Sequence, residues 1–113
     1  MEDLQDLTND GGLKKKILTA GTGDVPKKGS NVKVHYVGKF ENGKVFDQSD
    51  KSDPFEFTLG QGQVIKGWDV GVATMKKGES CTLWLRSDYA YGTRGAGKVI
   101  PANTNLVFDV TLL

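Results

Sequence analysis

Apolar and polar residues alternate with a period of two in several stretches of this chain. Strict alternation places the apolar side chains on one face of an extended segment, so each stretch predicts a β-strand with one buried face. The alternation is strongest at the end of the chain, where Leu106, Phe108, Val110 and Leu112 share one face. The predicted strands cover residues 13–18, 31–40, 45–47, 55–59, 81–85 and 106–112.

A helical spacing appears once, between the fourth and fifth of these alternating regions. Val64, Trp68, Val72 and Met75 recur at intervals of four, four and three, which places them on one face of a helix. We predict this helix over residues 66–75. A sheet-rich domain of this size would wrap its sheet around that face, so Trp68 is predicted to lie where helix meets sheet. There the indole is either ordinary core or the floor of an apolar pocket.

The segments between the predicted elements indicate one domain. Asn42-Gly43 is a strong hairpin signal between two strands. Residues 1–12 are polar and acidic, and we predict a flexible N-terminal tail followed by a folded domain over residues 13–113. The lysines of residues 13–18 are predicted on an exposed face or edge. The predicted fold class is α+β, with an antiparallel five- to six-stranded twisted sheet wrapped around one short helix.

Composition excludes several classes of function. The chain has 113 residues and a formal net charge of +1, so there is no electrostatic case for nucleic acid or an anionic membrane as a partner. No apolar run is long enough to span a bilayer. Cys81 is the sole cysteine, which excludes an internal disulfide and suits a reducing compartment. We predict a cytoplasmic protein, with the nucleus as a second compartment.

Catalysis by a histidine triad or a multi-histidine metal site is also excluded, because His35 is the only histidine. The glycines of Gly60-Gln61-Gly62 lack the spacing of a phosphate-binding loop and are typical of a turn. We therefore predict neither a metal nor a cofactor.

Aromatic residues are the remaining candidates for function, and they have two interpretations. They could simply fill the core, or they could form a cup. Asp47 directly follows Phe46, and a carboxylate beside an inner-face aromatic needs a partner, which the hydroxyl of Tyr36 or Tyr91 could supply. An aromatic cup with a few oriented polar groups is typical of a small-molecule or peptide pocket. The aromatic residues on the predicted inner face are Tyr36, Phe46, Phe55, Phe57, Trp68 and Phe108.

Six segments resemble, in order and spacing, the FK506-binding-protein (FKBP) domain. The resemblance covers about residues 13–113 and implies an FKBP-like fold and peptidyl-prolyl cis-trans isomerase activity, which helps proteins to fold. It also implies binding of tacrolimus- or rapamycin-like macrolides. The segments are Val34-His35-Tyr36-Val37-Gly38, Gly43-Lys44-Val45-Phe46-Asp47-Gln48-Ser49, Pro54-Phe55-Glu56-Phe57, Val64-Ile65-Lys66-Gly67-Trp68, Tyr89-Ala90-Tyr91-Gly92 and Leu106-Val107-Phe108-Asp109-Val110.

Position by position, the resemblance implies a set of site residues. Trp68 would be the floor under the proline ring, while the backbone N–H of Ile65 and the hydroxyl of Tyr91 would bind carbonyl groups of the ligand. The implied catalytic residues are Asp47, Tyr91, Phe46 and Ile65. The implied binding residues are Tyr36, Phe46, Asp47, Phe55, Gln63, Val64, Ile65, Trp68, Tyr91, Ile100 and Phe108.

The chain departs from the family pattern at two places. The segment between Asp47 and Phe55 is one residue shorter than in the smallest family members, and it lacks the arginine that commonly helps to hold the aspartate. The glycine-containing loop has Ala96 where family members often have a bulkier side chain. Both departures concern the rim of the implied pocket and the partner of Asp47.

Two further interpretations of the same residues stay open at this point. The chain could be a non-catalytic module of a chaperone-associated protein that binds proline segments or macrolides. It could also be a structural domain, which predicts no macrolide binding and no quenching of Trp68 fluorescence. The N-terminal segment resembles multidomain family members whose tetratricopeptide repeats dock the Hsp90 chaperone. The predicted partners are therefore proline-containing peptides and proteins, macrolides and Hsp90 through repeats outside this chain, and the predicted state is a monomer.

Overall fold

The computed structural model describes residues 4–113, which form an antiparallel sheet and one short helix. A short 3₁₀ helix, Val72–Thr74, continues the α-helix, and a second one, Ser87–Tyr89, follows the strand Ser80–Leu85. The strands and the helix are β1 Gln5–Asp6, β2 Leu13–Thr19, β3 Asn31–Phe40, β4 Val45–Gln48, β5 Phe55–Thr58, α1 Lys66–Gly71, β6 Ser80–Leu85 and β7 Leu106–Leu112.

The seven strands within residues 4–113 are ordered β1-β2-β6-β7-β3-β4, and β5 also pairs with β3. All pairings are antiparallel. The prediction of five to six strands omitted only β1, which has two residues. The predicted hairpin is confirmed, since Gly43 lies in its turn with a positive φ and donates its N–H to Phe40 at 2.9 Å.

Strand β3 has two different partners along one of its edges. Its first half, Asn31 to Val34, pairs with β5, whereas Val37 to Lys39 pair with β4. Its other edge pairs with β7. Tyr36 lies where the edge changes from one partner to the other. The two partner strands diverge there, and the gap between them provides the space for a pocket.

The helix packs its predicted apolar face against the sheet. Trp68, Val72 and Met75 are buried in one core cluster with the inner residues of the strands, and Val64 is partly buried against it. The regular helix ends at Gly71, earlier than predicted, because the chain tightens into the 3₁₀ helix, in which Met75 donates its N–H to Val72. The same apolar positions are buried in either conformation.

The N-terminal segment differs from the predicted flexible tail. Residues 5–6 form β1 against β2, and the carboxylate of Asp10 accepts hydrogen bonds from the N–H of Gly12 and the hydroxyl of Tyr89. Hydrogen bonds from Thr8, Gly12 and Tyr89 hold the pKa of Asp10 well below its ordinary value. The segment is therefore docked beside the 3₁₀ helix that follows β6. Residues 1–3 of the predicted tail lie outside the described residues.

The prediction that the lysines of β2 are exposed is wrong for Lys15. Its side chain points inward, and its ammonium group donates to Glu79 Oε2 at 2.9 Å and to Thr74 O and Oγ1 at 3.2 and 3.1 Å. Only 4% of each side chain of the Lys15–Glu79 pair is exposed. Three acceptors satisfy the three protons of the ammonium group, which makes burial of the charge tolerable.

Candidate active site

A concave pocket opens beside Tyr36, where β3 changes its pairing partner from β5 to β4. Its volume is about 450 Å³, within the range of roughly 300–1,000 Å³ that is typical of small-molecule sites. We call it the aromatic pocket. Its lining residues are Tyr36, Phe46, Asp47, Phe55, Gln63, Val64, Ile65, Trp68, Tyr91 and Phe108.

Trp68 and Phe108 form the floor of the aromatic pocket, with 4% and 3% of their surfaces exposed. Tyr36, Phe108 and Phe55 meet the indole edge-on, with centroid separations of 4.9, 5.3 and 5.8 Å. Phe57 lies tilted at 6.0 Å. Edge-to-face pairs at these separations stabilise the fold in addition to the free energy gained from the apolar area that they bury. Four neighbouring rings therefore fix the position of Trp68.

The indole nitrogen of Trp68 is buried and has no hydrogen-bond partner among residues 4–113. A buried donor without a partner costs roughly 1–3 kcal/mol. The indole is thus oriented by the packing of its ring, and the floor that it forms is apolar.

Phe46 closes one side of the pocket and depends on Gly38 behind it. Its ring lies edge-on to Phe108 at a centroid separation of 5.7 Å. Gly38 is buried in β3, and a Cβ atom added there would lie 2.8 Å from Phe46 Cζ and 2.9 Å from Phe108 Cε1. Gly38 is not among the site residues predicted from the sequence. The available signal was a glycine in the interior of a predicted strand, which marks a close approach of another group.

Asp47 lies at the rim of the pocket. Neighbouring groups hold its carboxylate in place of the arginine that this chain lacks. The Tyr36 hydroxyl donates to Asp47 Oδ2 at 2.8 Å, and the N–H of Gln48 donates to Oδ1 at 2.8 Å. Of the two hydroxyl groups considered from sequence, Tyr36 is thus the hydrogen-bond partner. The pairing leaves the carboxylate fixed at the pocket mouth, where it can interact with a bound ligand.

Tyr91 approaches the pocket from the opposite side, two residues after the 3₁₀ helix Ser87–Tyr89. Its side chain is 38% exposed and belongs to the rim. Burial, and then the charge of Asp47, raise the pKa of Tyr91 above its ordinary value. The hydroxyl is therefore protonated at neutral pH and available as a hydrogen-bond donor.

The segment Gln63-Val64-Ile65 forms the third side of the pocket. Gln63 Oε1 accepts a hydrogen bond from the N–H of Thr58 at 2.9 Å, which ties the segment to β5. The carbonyl of Ile65 accepts the N–H groups of Trp68 and Asp69 in the first turn of α1. The N–H of Ile65 precedes the helix and donates to no group within residues 4–113, so it is free for a ligand.

Ile100 is the predicted binding residue that the structure does not bring to the pocket lining. It is 4% exposed and belongs to the core cluster. Ile100 pairs with Ala96 in an isolated bridge, in which the N–H of Ala96 donates to its carbonyl at 2.8 Å. This bridge folds the loop back on itself and directs Ile100 into the core. The other ten predicted residues line one cavity.

The hydroxyl of Tyr36 gives this rim a measurable signature at alkaline pH. Burial, and then the hydrogen bond to Asp47, raise the pKa of Tyr36 from 10.0 to about 12. Because the folded value is the higher one, the hydroxyl stabilises the fold fully below pH 10 and loses this contribution as the pH rises to about 12. We expect the ultraviolet titration of tyrosinate to retain a late step near pH 12 that Tyr36→Phe removes.

Tyr91→Phe is the control for this titration, since it should remove a different step. Circular dichroism at each pH restricts the comparison to folded protein. If Tyr36→Phe leaves the last step in place, the hydrogen bond to Asp47 is not formed in solution.

Other kinds of site receive no support from the described part of the chain. No group of three or more potential metal ligands occurs within residues 4–113. Over the same residues, no helix combines the length and apolarity needed to cross a bilayer.

The chain is similar to known isomerases over nearly its whole length. The model of the FKBP-type peptidyl-prolyl cis-trans isomerase family matches residues 23–113. FK506-binding protein 1 of Dictyostelium discoideum is 54% identical over 103 residues, which cover 90% of this chain and 96% of that protein. A peptidyl-prolyl cis-trans isomerase of Schizosaccharomyces pombe is 47% identical over 104 residues, which cover 90% and 93% of the two chains.

A solved structure extends the similarity to three dimensions. The crystal structure of a peptidyl-prolyl cis-trans isomerase from Pseudomonas syringae matches with a TM-score of 0.89 and 39% sequence identity. The match covers 100% of this chain and 80% of that chain. The predicted fold class and the resemblance found in the sequence are thereby confirmed.

Proposed function

The chain belongs to the FKBP-type peptidyl-prolyl cis-trans isomerase family, and we propose that it isomerises X-Pro bonds in the aromatic pocket between β3, β4, β5 and α1. The observation that carries this assignment is the combination of a buried aromatic floor with a few polar groups at its rim. The floor offers Trp68 and Phe108 to a proline ring. The rim offers Asp47, Tyr91 and the N–H of Ile65 to the flanking amides.

The reaction needs no nucleophile, because only a rotation has to be accelerated. Amide resonance imposes a barrier of about 18–20 kcal/mol on rotation of the peptide bond. Resonance also separates charge, so water stabilises the planar amide more than the twisted one. A dry aromatic surface removes that preference, and preorganised groups can then favour the twisted amide.

We assign separate roles to the floor and the rim. Phe46, Trp68 and Phe108 hold the proline ring by apolar contact, as the size of the pocket allows. Asp47 and Tyr91 bracket the amide, with the carboxylate held in place by Tyr36. The N–H of Ile65 binds a carbonyl group of the substrate.

We also propose that the aromatic pocket binds tacrolimus-like macrolides. Relatives at 50% identity or more bear the name FK506-binding protein, and the same residues that would hold a proline ring would hold a cyclic amide of similar size. Binding would bring the macrolide against Trp68, so quenching of its fluorescence measures the affinity. Docking to Hsp90, a monomeric state and the cytoplasmic location stay predictions.

Separate substitution of Asp47 and Tyr91 tests their assigned roles. We expect Asp47→Asn to lower kcat/KM for an X-Pro peptide about tenfold, since hydrogen bonds to a charged group contribute about 1.5–3 kcal/mol. Tyr91→Phe should lower it about threefold, because it removes one neutral hydrogen bond. The losses should appear mainly in kcat if these groups act on the twisted amide. The rate of cis-trans exchange of the peptide provides the measurement.

Tyr89→Phe is the matched control for Tyr91→Phe. Tyr89 donates its hydroxyl to Asp10 and does not line the aromatic pocket, so its removal should leave the rate within about twofold. Unchanged rates in both pocket variants would contradict the roles of Asp47 and Tyr91. A macrolide that fails to inhibit the wild-type protein would contradict the binding proposal alone.

A further inference from the structure

The turn Gly60-Gln61-Gly62 precedes one side of the aromatic pocket and has an unusual backbone. Gly60 and Gly62 have φ values of +79° and +69°, in the left-handed region that favours glycine. A chain in this conformation cannot continue a strand or begin a helix, so its N–H groups need acceptors from elsewhere in the molecule. Without such acceptors, the turn would have no fixed position.

Asp69 supplies both acceptors from the first turn of α1. Its Oδ1 accepts the N–H of Gly60 at 2.9 Å, and its Oδ2 accepts the N–H of Gly62 at 3.0 Å. The carboxylate thus spans the turn with one oxygen for each donor. Hydrogen bonds between backbone N–H groups and a carboxylate are stronger than neutral ones. The side chain is half-buried, which limits competition from water.

The same residue is also bonded to the far end of the segment. The N–H of Asp69 donates to the carbonyl of Ile65 at 3.2 Å. Asp69 therefore contacts both ends of the chain from Gly60 to Ile65, and this chain contains Gln63, Val64 and Ile65 of the pocket lining. The side chain of Asp69 itself does not line the pocket.

We propose that Asp69 is a positioning residue for the isomerase reaction. Its carboxylate holds the Gly60–Gly62 turn in place. The position of this turn then determines where Val64 and the Ile65 N–H lie at the pocket. The proposal rests on the function assigned to the aromatic pocket, because it concerns the part of the pocket that binds the carbonyl group of the substrate. It assigns a role to a residue that contacts no substrate atom.

Asp69→Asn separates this role from a general effect on folding. The amide keeps one acceptor but presents an NH₂ group to the second N–H donor, so one of the two hydrogen bonds is lost and replaced by a repulsive contact. We expect KM for an X-Pro peptide to rise about tenfold with kcat within about twofold, because Val64 and Ile65 bind the planar and the twisted amide alike. Asp69→Glu, which restores the carboxylate, should recover most of the affinity.

Asp6→Asn is the matched control. The Asp6 carboxylate also holds a turn, accepting the N–H groups of Thr8, Asn9 and Gly11 at 3.2, 3.1 and 2.9 Å, but this turn is in the N-terminal segment. We expect that variant to leave KM within about twofold. Hydrogen exchange at the amides of Gly60 and Gly62 should accelerate in Asp69→Asn and stay unchanged in Asp6→Asn.

The outcomes distinguish this proposal from the function on which it rests. Faster exchange at Gly60 and Gly62 with an unchanged KM would overturn the positioning role while leaving the isomerase site intact. A fall in kcat alone, or a loss that Asp69→Glu does not recover, would also overturn it. Failure of the proposed site would appear elsewhere, as unchanged rates in both Asp47→Asn and Tyr91→Phe.

Discussion

Replacement of Gly38 with alanine is expected to lower kcat/KM for an X-Pro peptide about a hundredfold. The new Cβ atom would lie under 3.0 Å from both Phe46 and Phe108, so at least one of these two pocket-lining rings has to shift. A displacement of about 1 Å at a substrate-binding group can cost about two orders of magnitude in rate. The backbone of Gly38 needs no unusual φ, so the effect comes from the side chain alone. Peptide isomerisation kinetics and macrolide titration provide the measurements.

Gly71→Ala is the matched control for this prediction. Gly71 is also buried, and its added Cβ would lie 2.9 Å from Leu83 Cδ1, the far end of a flexible side chain outside the pocket. Both variants should lose stability by no more than about 1–3 kcal/mol, the usual cost of overpacking. Equal losses of activity in the two variants, or none in Gly38→Ala, would contradict the role of Gly38 as the support of the two rings.

The strands were predictable wherever one face is buried and the other solvated. β6 and β7 alternate without a break between buried and partly exposed residues, and the sequence pattern has the same period. The end of α1 was less predictable, because Val72 and Met75 are buried in either an α-helical or a 3₁₀ conformation. Periodicity alone cannot distinguish the two at the end of a helix.

The short strand β1 lies beyond what a periodic pattern can predict. It has two residues, and its position depends on contacts with distant groups. Asp10 bonds to Tyr89 and Arg86, which are more than seventy positions away in sequence. An acidic composition is typical of a flexible tail, yet these acids hold the segment in place by accepting hydrogen bonds.

The composition of the candidate site was predictable, but its internal bonding was not. The resemblance to a known family supplied the residues, and ten of the eleven line one cavity. The choice between Tyr36 and Tyr91 as the partner of Asp47 depends on register. In the β3–β4 pair Asp47 lies opposite Gly38, two residues from Tyr36, so the Tyr36 hydroxyl is within reach on the same side. Register between strands is a tertiary property that alternation leaves open.

Lys15 illustrates a conflict between pattern and residue type. Alternation in β2 places Lys15 in line with the buried Leu13, and the structure agrees. The residue type favours the surface for a lysine, and this expectation is wrong for Lys15 because Glu79 supplies a buried counter-charge. The acceptors at Thr74 belong to the 3₁₀ helix after α1, so the pair also joins the helical segment to the sheet.

Removal of one partner of this pair is expected to have the largest effect on stability. Glu79→Ala would leave the ammonium group of Lys15 buried without its counter-charge, and such changes cost about 3–5 kcal/mol. The total stability of a domain is commonly about 5–15 kcal/mol, so the variant should be close to unfolding at physiological temperature. Urea denaturation at neutral pH measures the loss.

The double variant Lys15→Met, Glu79→Leu decides whether the loss comes from the unpaired charge. Replacing a buried ion pair by apolar residues of similar volume is often neutral or stabilising, so the double variant should recover most of the stability that Glu79→Ala loses. Lys39→Met is the surface control, because the Lys39–Asp109 pair is about one-third exposed and such pairs contribute about 0–1 kcal/mol. If the double variant is as unstable as Glu79→Ala, the pair stabilises the fold through its geometry, and the desolvation argument fails.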